Sequence, residues 1–139
     1  MGTAIQLNVP LPNAPGNLAA LSDLLRTAEV NINAISLSEG KVSSMAHLIV
    51  DDPETAKMTL QPQYKVTVTP VLSFRMKNKP GAIALIARAC AAAKLTIRTI
   101  YATAYGKEAA VYVAVDDIVK AQELLKTWQK SFGNILARK

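Results

Sequence analysis

The chain has 139 residues, half of them apolar, a formal charge of +6 and one cysteine. That length allows one globular domain or two very small ones. No run of about 18 apolar residues is present to span a bilayer and no basic-then-apolar leader opens the chain. The lone Cys90 excludes a disulfide framework or a cysteine zinc site within one chain, which points to a reducing cytoplasm. His47 is the only histidine, so metal and histidine-base chemistry are weakened together, and no cofactor is expected.

In chain order, Ile5, Leu7 and Val9 alternate with Ala4, Gln6 and Asn8, the pattern of a half-buried strand. The stretch Asn13-Ala14-Pro15-Gly16-Asn17-Leu18 is a turn into a helix, whose apolar face is Leu18, Leu21, Leu25 and Ala28. A second strand is expected over 30–38, and a Glu39-Gly40-Lys41 turn leads into a third over 42–50. Asp52-Pro53-Glu54 supplies a cap, a proline and an acid to start a second helix. A fourth strand is expected over 64–69, after which Pro70 breaks the run.

The same text then recurs at an offset of 65 without a gap. Pro15-Gly16 falls on Pro80-Gly81, Ile35 on Ile100, and Asp51-Asp52 on Asp116-Asp117. The chain is thus read as a duplicated unit, with a first repeat over 1–69 and a second over 70–139. In the second, Leu72, Phe74 and Met76 form the opening strand, and Ile83, Ile86, Cys90 and Ala93 the helical face. Strands are expected over 95–104 and 109–115, and a last helix presents Ile118, Ala121, Leu125 and Trp128. Residues 132–137 are taken as the matching fourth strand. The fold class is α+β: two ferredoxin-like βαββαβ repeats with antiparallel sheets and the helices on one face. The other face would carry Met45, His47, Ile49 and Tyr112, too apolar a set to be left to water, and is expected to serve in pairing.

This pattern resembles the ACT domain family, through the strand and turn ending in Asn13–Leu18, the later Val30-Asn31-Ile32-Asn33-Ala34-Ile35, and their second-copy counterparts Asn78-Lys79-Pro80-Gly81-Ala82-Ile83 and Leu95-Thr96-Ile97-Arg98-Thr99-Ile100. The chain is similar to free-standing tandem ACT proteins with no attached enzyme. The resemblance implies regulatory binding of a small molecule, most often a free amino acid, where two ACT units meet against the turn. It also implies a homodimer and a partner enzyme. The physics of the turn agrees. The first N–H groups of a helix have no intrahelical partner, glycine lets backbone approach a ligand, and the helix dipole favours a carboxylate.

The candidate ligand residues are therefore Asn13, Ala14, Pro15, Gly16, Asn17, Leu18, Asn31 and Asn33 in the first copy. In the second they are Asn78, Lys79, Pro80, Gly81, Ala82, Ile83 and Arg98. Family members often carry Asp where this chain has Asn13 and Asn78, which removes a partner for an ammonium. Lys77, Lys79 and Arg98 make the second turn more basic and suit a dicarboxylate or phosphorylated metabolite, or a turn used only in packing. Gly16→Val is expected to abolish binding with the fold largely intact.

Charge is unevenly placed: four basic and six acidic residues up to Lys65, twelve basic and four acidic from Pro70 onward. That asymmetry suits an anionic ligand or partner, or only a solvated surface. No nucleophile or phosphate-loop signature is present, and an enzyme is not expected. Two other classes stay open. One is a ligand-free interaction subunit that modulates a partner enzyme. The other is an RNA-binding module of the same layout, disfavoured because Phe74 falls on the core face and the aromatic strand motif is missing. Cys90 is read as a core residue at the position of Leu25, and the Asp pairs as helix caps.

Overall fold

The computed structural model describes residues 1–137. Among these the order is β1 (Gly2–Pro12), α1 (Asn17–Thr27), β2 (Ile32–Glu39), β3 (Ser43–Val50), α2 (Pro53–Leu60), β4 (Thr67–Lys77), α3 (Ala82–Ala92), β5 (Ile97–Tyr105), β6 (Glu108–Val115) and α4 (Ile118–Ala137). It is the expected pair of ferredoxin-like repeats. The chain forms two compact units, one of Ile5–Thr69 and one of Met1–Ala4 together with the chain from Pro70 onward.

In the unit of Ile5–Thr69, β3 lies between β1 and β2 and pairs antiparallel with both. Leu7, Val9 and Leu11 of β1 and Ala46, Leu48 and Val50 of β3 point to one face. There they pack on Leu21 and Leu25 of α1 and on Ala56 and Leu60 of α2. The period of two on the strands meets the period near four on the helices, which is why both helices settle on the same face. Thr67 and Thr69 at the start of β4 accept hydrogen bonds from the Asn8 amide at 3.2 and 2.9 Å, so this short piece serves as the unit's fourth strand.

The other unit repeats the plan. β6 pairs antiparallel with β4 and β5. Leu72, Phe74 and Met76 pack with Ile86, Cys90, Val111, Val113, Ala121, Trp128 and Phe132. Cys90 is buried, as its match to Leu25 requires, and burial pushes its thiol pKa up. Met1, at the head of β1, packs against this second core.

The acid pairs divide their work. Asp52 caps α2 by accepting from the Thr55 N–H at 3.1 Å and the Thr55 hydroxyl at 2.6 Å, bonds that hold its carboxyl below the usual range. Asp117 caps α4 through the Lys120 N–H at 3.1 Å. Asp51 and Asp116 instead accept from the backbone N–H of Asn31 and Thr96, each at 2.9 Å, and fix where β2 and β5 begin.

Two expectations are corrected. Pro70 does not break a strand: it lies inside the continuous β4 of 11 residues. It is exposed, and proline is tolerated in a strand where its missing N–H is not needed. Residues 132–137 are not a strand but the last turns of the 20-residue α4. Phe132 follows Trp128 at helical spacing, and their rings stack with centroids 6.3 Å apart, so the apolar face of α4 simply continues. Among the described residues no helix is long and apolar enough to cross a membrane.

Candidate functional site

The two Pro-Gly turns close in the same way. Gly16 and Gly81 stand at the N-caps of α1 and α3 with φ 90° and 91°, a region that costs a residue with a Cβ. Their carbonyls accept the first helical bonds, from Ala20 and Leu85, both at 3.0 Å. Pro15 and Pro80 precede the cap rather than enter the helix.

The first turn borders a cavity of about 410 Å³. Asn13, Ala14, Pro15, Gly16, Asn17 and Leu18 all line it, so the structure brings together the six turn residues the sequence singled out. Three further contributors come from the β2–β3 hairpin: Leu37, Glu39 and Ser44. Sequence reasoning missed all three, with Leu11 and Pro12, and among them Glu39 is the only carboxylate in the lining. Its signal lay in the hairpin spacing. A strand that starts beside the far end of α1 must finish beside the turn.

The side-chain amides of the first turn are already engaged. Asn13 Nδ2 donates to the Gly40 carbonyl at 2.9 Å, and its Oδ1 accepts from the Ser44 hydroxyl at 2.6 Å. An aspartate could make only the second bond, which accounts for asparagine here. Asn17 Nδ2 donates to the carbonyls of Pro12 and Ala14 at 2.8 and 3.1 Å and ties the turn to itself.

The second turn borders a cavity of about 340 Å³ lined by Asn78, Lys79, Gly81, Ala82 and Ile83 with small residues of β5 and β6. Pro80 and Arg98 are not part of its wall. Asn78 Nδ2 donates to the Gly106 carbonyl at 3.0 Å, the counterpart of the Asn13 bond. Ala109 stands in place of Ser44 and Ala104 in place of Glu39, so neither the hydroxyl nor the carboxylate is repeated. The Ala82 N–H donates to the Lys79 carbonyl at 3.3 Å, which leaves it turned into the protein.

Asn31 and Asn33 lie elsewhere. Asn31 Nδ2 donates to Asn33 Oδ1 at 3.0 Å, and Asn31 borders a separate hollow with Ser22, Arg26 and Glu29 at the opposite end of β2 from the turn. Arg98, near the start of β5, is exposed.

A family model of the ACT domain pair matches residues 2–134. The chain belongs to that family. No curated protein matches its sequence. Among solved structures, protein BT0572 from Bacteroides thetaiotaomicron is 27% identical with a TM-score of 0.85, over 91% of this chain and 89% of that one. The ligand-free regulatory subunit of aspartate kinase from Thermus thermophilus has a TM-score of 0.68 at 15% identity, over 92% and 97% of the two chains. Aspartate kinase from Clostridium acetobutylicum has a TM-score of 0.60 at 15% identity, over 94% of this chain but 33% of that one. These last two likenesses are of fold.

The two copies of this ACT pair differ on the sheet face away from the helices. In the first copy one cross-strand row is Asn8, His47 and Ser36. His47 Nδ1 lies 2.9 Å from Asn8 Oδ1 and 3.1 Å from Gln6 Nε2, and Gln6 Nε2 donates to Asn8 Oδ1 at 2.8 Å. This face therefore carries a polar network beside the apolar Met45 and Ile49, of which Ile49 is 5% exposed. Gln6 is 2% exposed, so its amide needs those partners. In the second copy the same row is Ser73, Tyr112 and Tyr101. The two rings stack at 5.6 Å, and burial, with Tyr112 adding to it, pushes the Tyr101 phenol far up.

Desolvation lowers the His47 pKa below 6.5, so the folded state favours the neutral ring. The folded protein then binds fewer protons than the unfolded chain as the pH falls, and stability drops. Urea titrations should give a free energy of unfolding that declines from pH 6.5 towards about pH 5, with His47→Gln flattening that decline. An unchanged slope in the variant would exclude His47 as its source. Among the described residues no cluster of His, Cys, Asp or Glu could hold a metal ion.

Proposed function

We propose that this ACT pair is a regulatory binding protein for a free amino acid, held at the first Pro-Gly turn, and not an enzyme. One observation carries the reading. The first cavity sets a carboxylate, Glu39, and an apolar patch of Leu11, Leu18 and Leu37 around the N-terminus of α1. A zwitterion has the matching parts. Its α-carboxylate faces the first N–H groups of the helix, its ammonium faces Glu39, and its side chain rests on the leucines. Glu39 thus takes over the role that the asparagine at 13 gives up.

The second turn lacks the acid and is lined by Lys79 and alanines. In this reading it holds an anion without an ammonium, a small anionic metabolite, or acts only in packing. The fold that the chain shares with a regulatory subunit of aspartate kinase supports action on a partner enzyme, with the protein working as a homodimer in the cytoplasm. The effector acts by its differential affinity for two states of that assembly. The saturated amide of Asn13 favours one competing reading, an interaction subunit with no ligand.

Calorimetry of the purified chain against the standard amino acids separates the two. Saturable heat from one or two of them, at about one ligand per chain, is expected. Glu39→Gln should weaken that binding by about tenfold or more at an unchanged melting temperature. Silence from every amino acid in a correctly folded sample refutes the sensor and leaves the interaction subunit.

A further inference from the structure

A groove of about 680 Å³ runs between α3 and α4, apart from both turns. Leu85, Leu124 and Trp128 give it an apolar lining, and its cations are Arg88, Lys94 and Lys120. No carboxylate lines it, and none among the described residues pairs with those three cations.

The first copy serves as an internal control. At the offset of 65, Arg88 and Lys94 stand where the first copy has Asp23 and Glu29, so bases face acids across the repeat, and Lys120 stands where it has Thr55. Leu85, Leu124 and Trp128 replace Ala20, Thr59 and Gln63. In the first copy Asp23 pairs with Arg26 at 3.3 Å, and the Thr59 hydroxyl bonds its own helix at 2.7 Å. At these six positions the second copy places apolar side chains and cations where the first has two acids, two threonines, a glutamine and an alanine, while the buried core positions are apolar in both.

The cations are not spread evenly. Lys94 follows the end of α3 and Lys120 opens α4, and the bond from the Thr96 N–H to Asp116 at 2.9 Å holds those two ends together. Arg88 stands about 9 Å back along α3, by the helical rise of 1.5 Å per residue. Trp128 and Phe132 lie about 12–18 Å along α4 from Lys120. Two of the three cations gather at one end of the groove, Arg88 stands part-way along it, and Trp128 and Phe132 close the other end; a single-headed amphiphile meets the cation pair with its head and the apolar end with its chain.

We propose that this groove binds the monomeric anion of a medium- or long-chain fatty acid, with the carboxylate at Lys94 and Lys120 and the chain along Leu85, Leu124 and Trp128. The site does not depend on the turn cavities. Trp128 is the only tryptophan, so its fluorescence reports the groove directly.

The test is a titration of the full chain with dodecanoate below its micelle concentration. A saturable change is expected, with decanoate about tenfold weaker for its two missing methylenes and dodecanol about threefold weaker for its missing charge. The double variant K94E/K120T, which restores the first copy's residue types, should weaken dodecanoate similarly at an unchanged melting temperature. Leu124→Thr should weaken it through the apolar lining alone. No saturable change, equal affinity for dodecanol, indifference to both variants, or a response only to phosphatidylglycerol vesicles would each overturn the proposal.

Discussion

Phe74→Ala should lower the free energy of unfolding by about 3–5 kcal/mol. Phe74 is 1% exposed and heads the fully buried side chains by size. It sits on β4 opposite Val111 and faces Phe132 with ring centroids 6.1 Å apart. Truncation removes the transfer free energy of the ring and leaves a void between a strand and a helix, which cannot close without moving both. A protein of this kind holds roughly 5–15 kcal/mol in all, so the loss is a large share of the whole. The matching residue in the first copy is Val9, also fully buried, so Phe74→Val should cost less than alanine. Urea denaturation followed by Trp128 fluorescence is the natural assay, because Trp128 belongs to the same core. A loss under about 1 kcal/mol in the alanine variant would contradict this packing.

Gly16→Val should cost about 1–3 kcal/mol, against the expectation from sequence that the fold would be left largely intact. The cause is conformation and not space. A Cβ at Gly16 would meet nothing within 4 Å, yet the residue sits at φ +90°. A β-branched side chain there is a strong outlier, and relief requires the turn to flip. That would carry away the Asn17 bonds to Pro12 and Ala14. Amino-acid binding and stability should therefore fall together in Gly16→Val, with a melting temperature lower by roughly 4 °C or more. The Glu39→Gln variant should lose binding alone. A Gly16→Val protein as stable as its parent would show that the left-handed turn is not needed.

Much of the fold was legible because the chain states it twice. The offset of 65 aligned every helix start and hairpin, and each weak local signal was backed by its copy. The failures are those of local reasoning. Pro70 reads as a breaker because proline lacks an N–H, but whether a strand needs that N–H depends on neighbours distant in sequence. Residues 132–137 read as a strand by analogy with the first copy, although Trp128 and Phe132 were already four apart. At the site, the turn residues were visible as motif. Asn31 and Asn33 do not line the turn cavity, because β2 starts at the far end of its unit and returns to the turn only at Leu37 and Glu39. A strand of eight residues spans about 26 Å, enough to separate two ends of one motif. Glu39 was hidden for the same reason: it joins the turn only once the hairpin closes.

The continuous β4 has a genetic consequence. It enters as the fourth strand of the unit of Ile5–Thr69 and leaves as the opening strand of the next, while Met1–Ala4 at the head of β1 belongs with that next unit. The sequence period and the compact units are thus out of step by one short segment. A gene cut at the repeat boundary would separate Met1–Ala4 from the unit they complete and leave an open strand edge of the kind that invites aggregation. Neither copy can be inherited, lost or shuffled alone without that cost. The second copy nonetheless differs from the first on its own surface, as the α3–α4 groove shows.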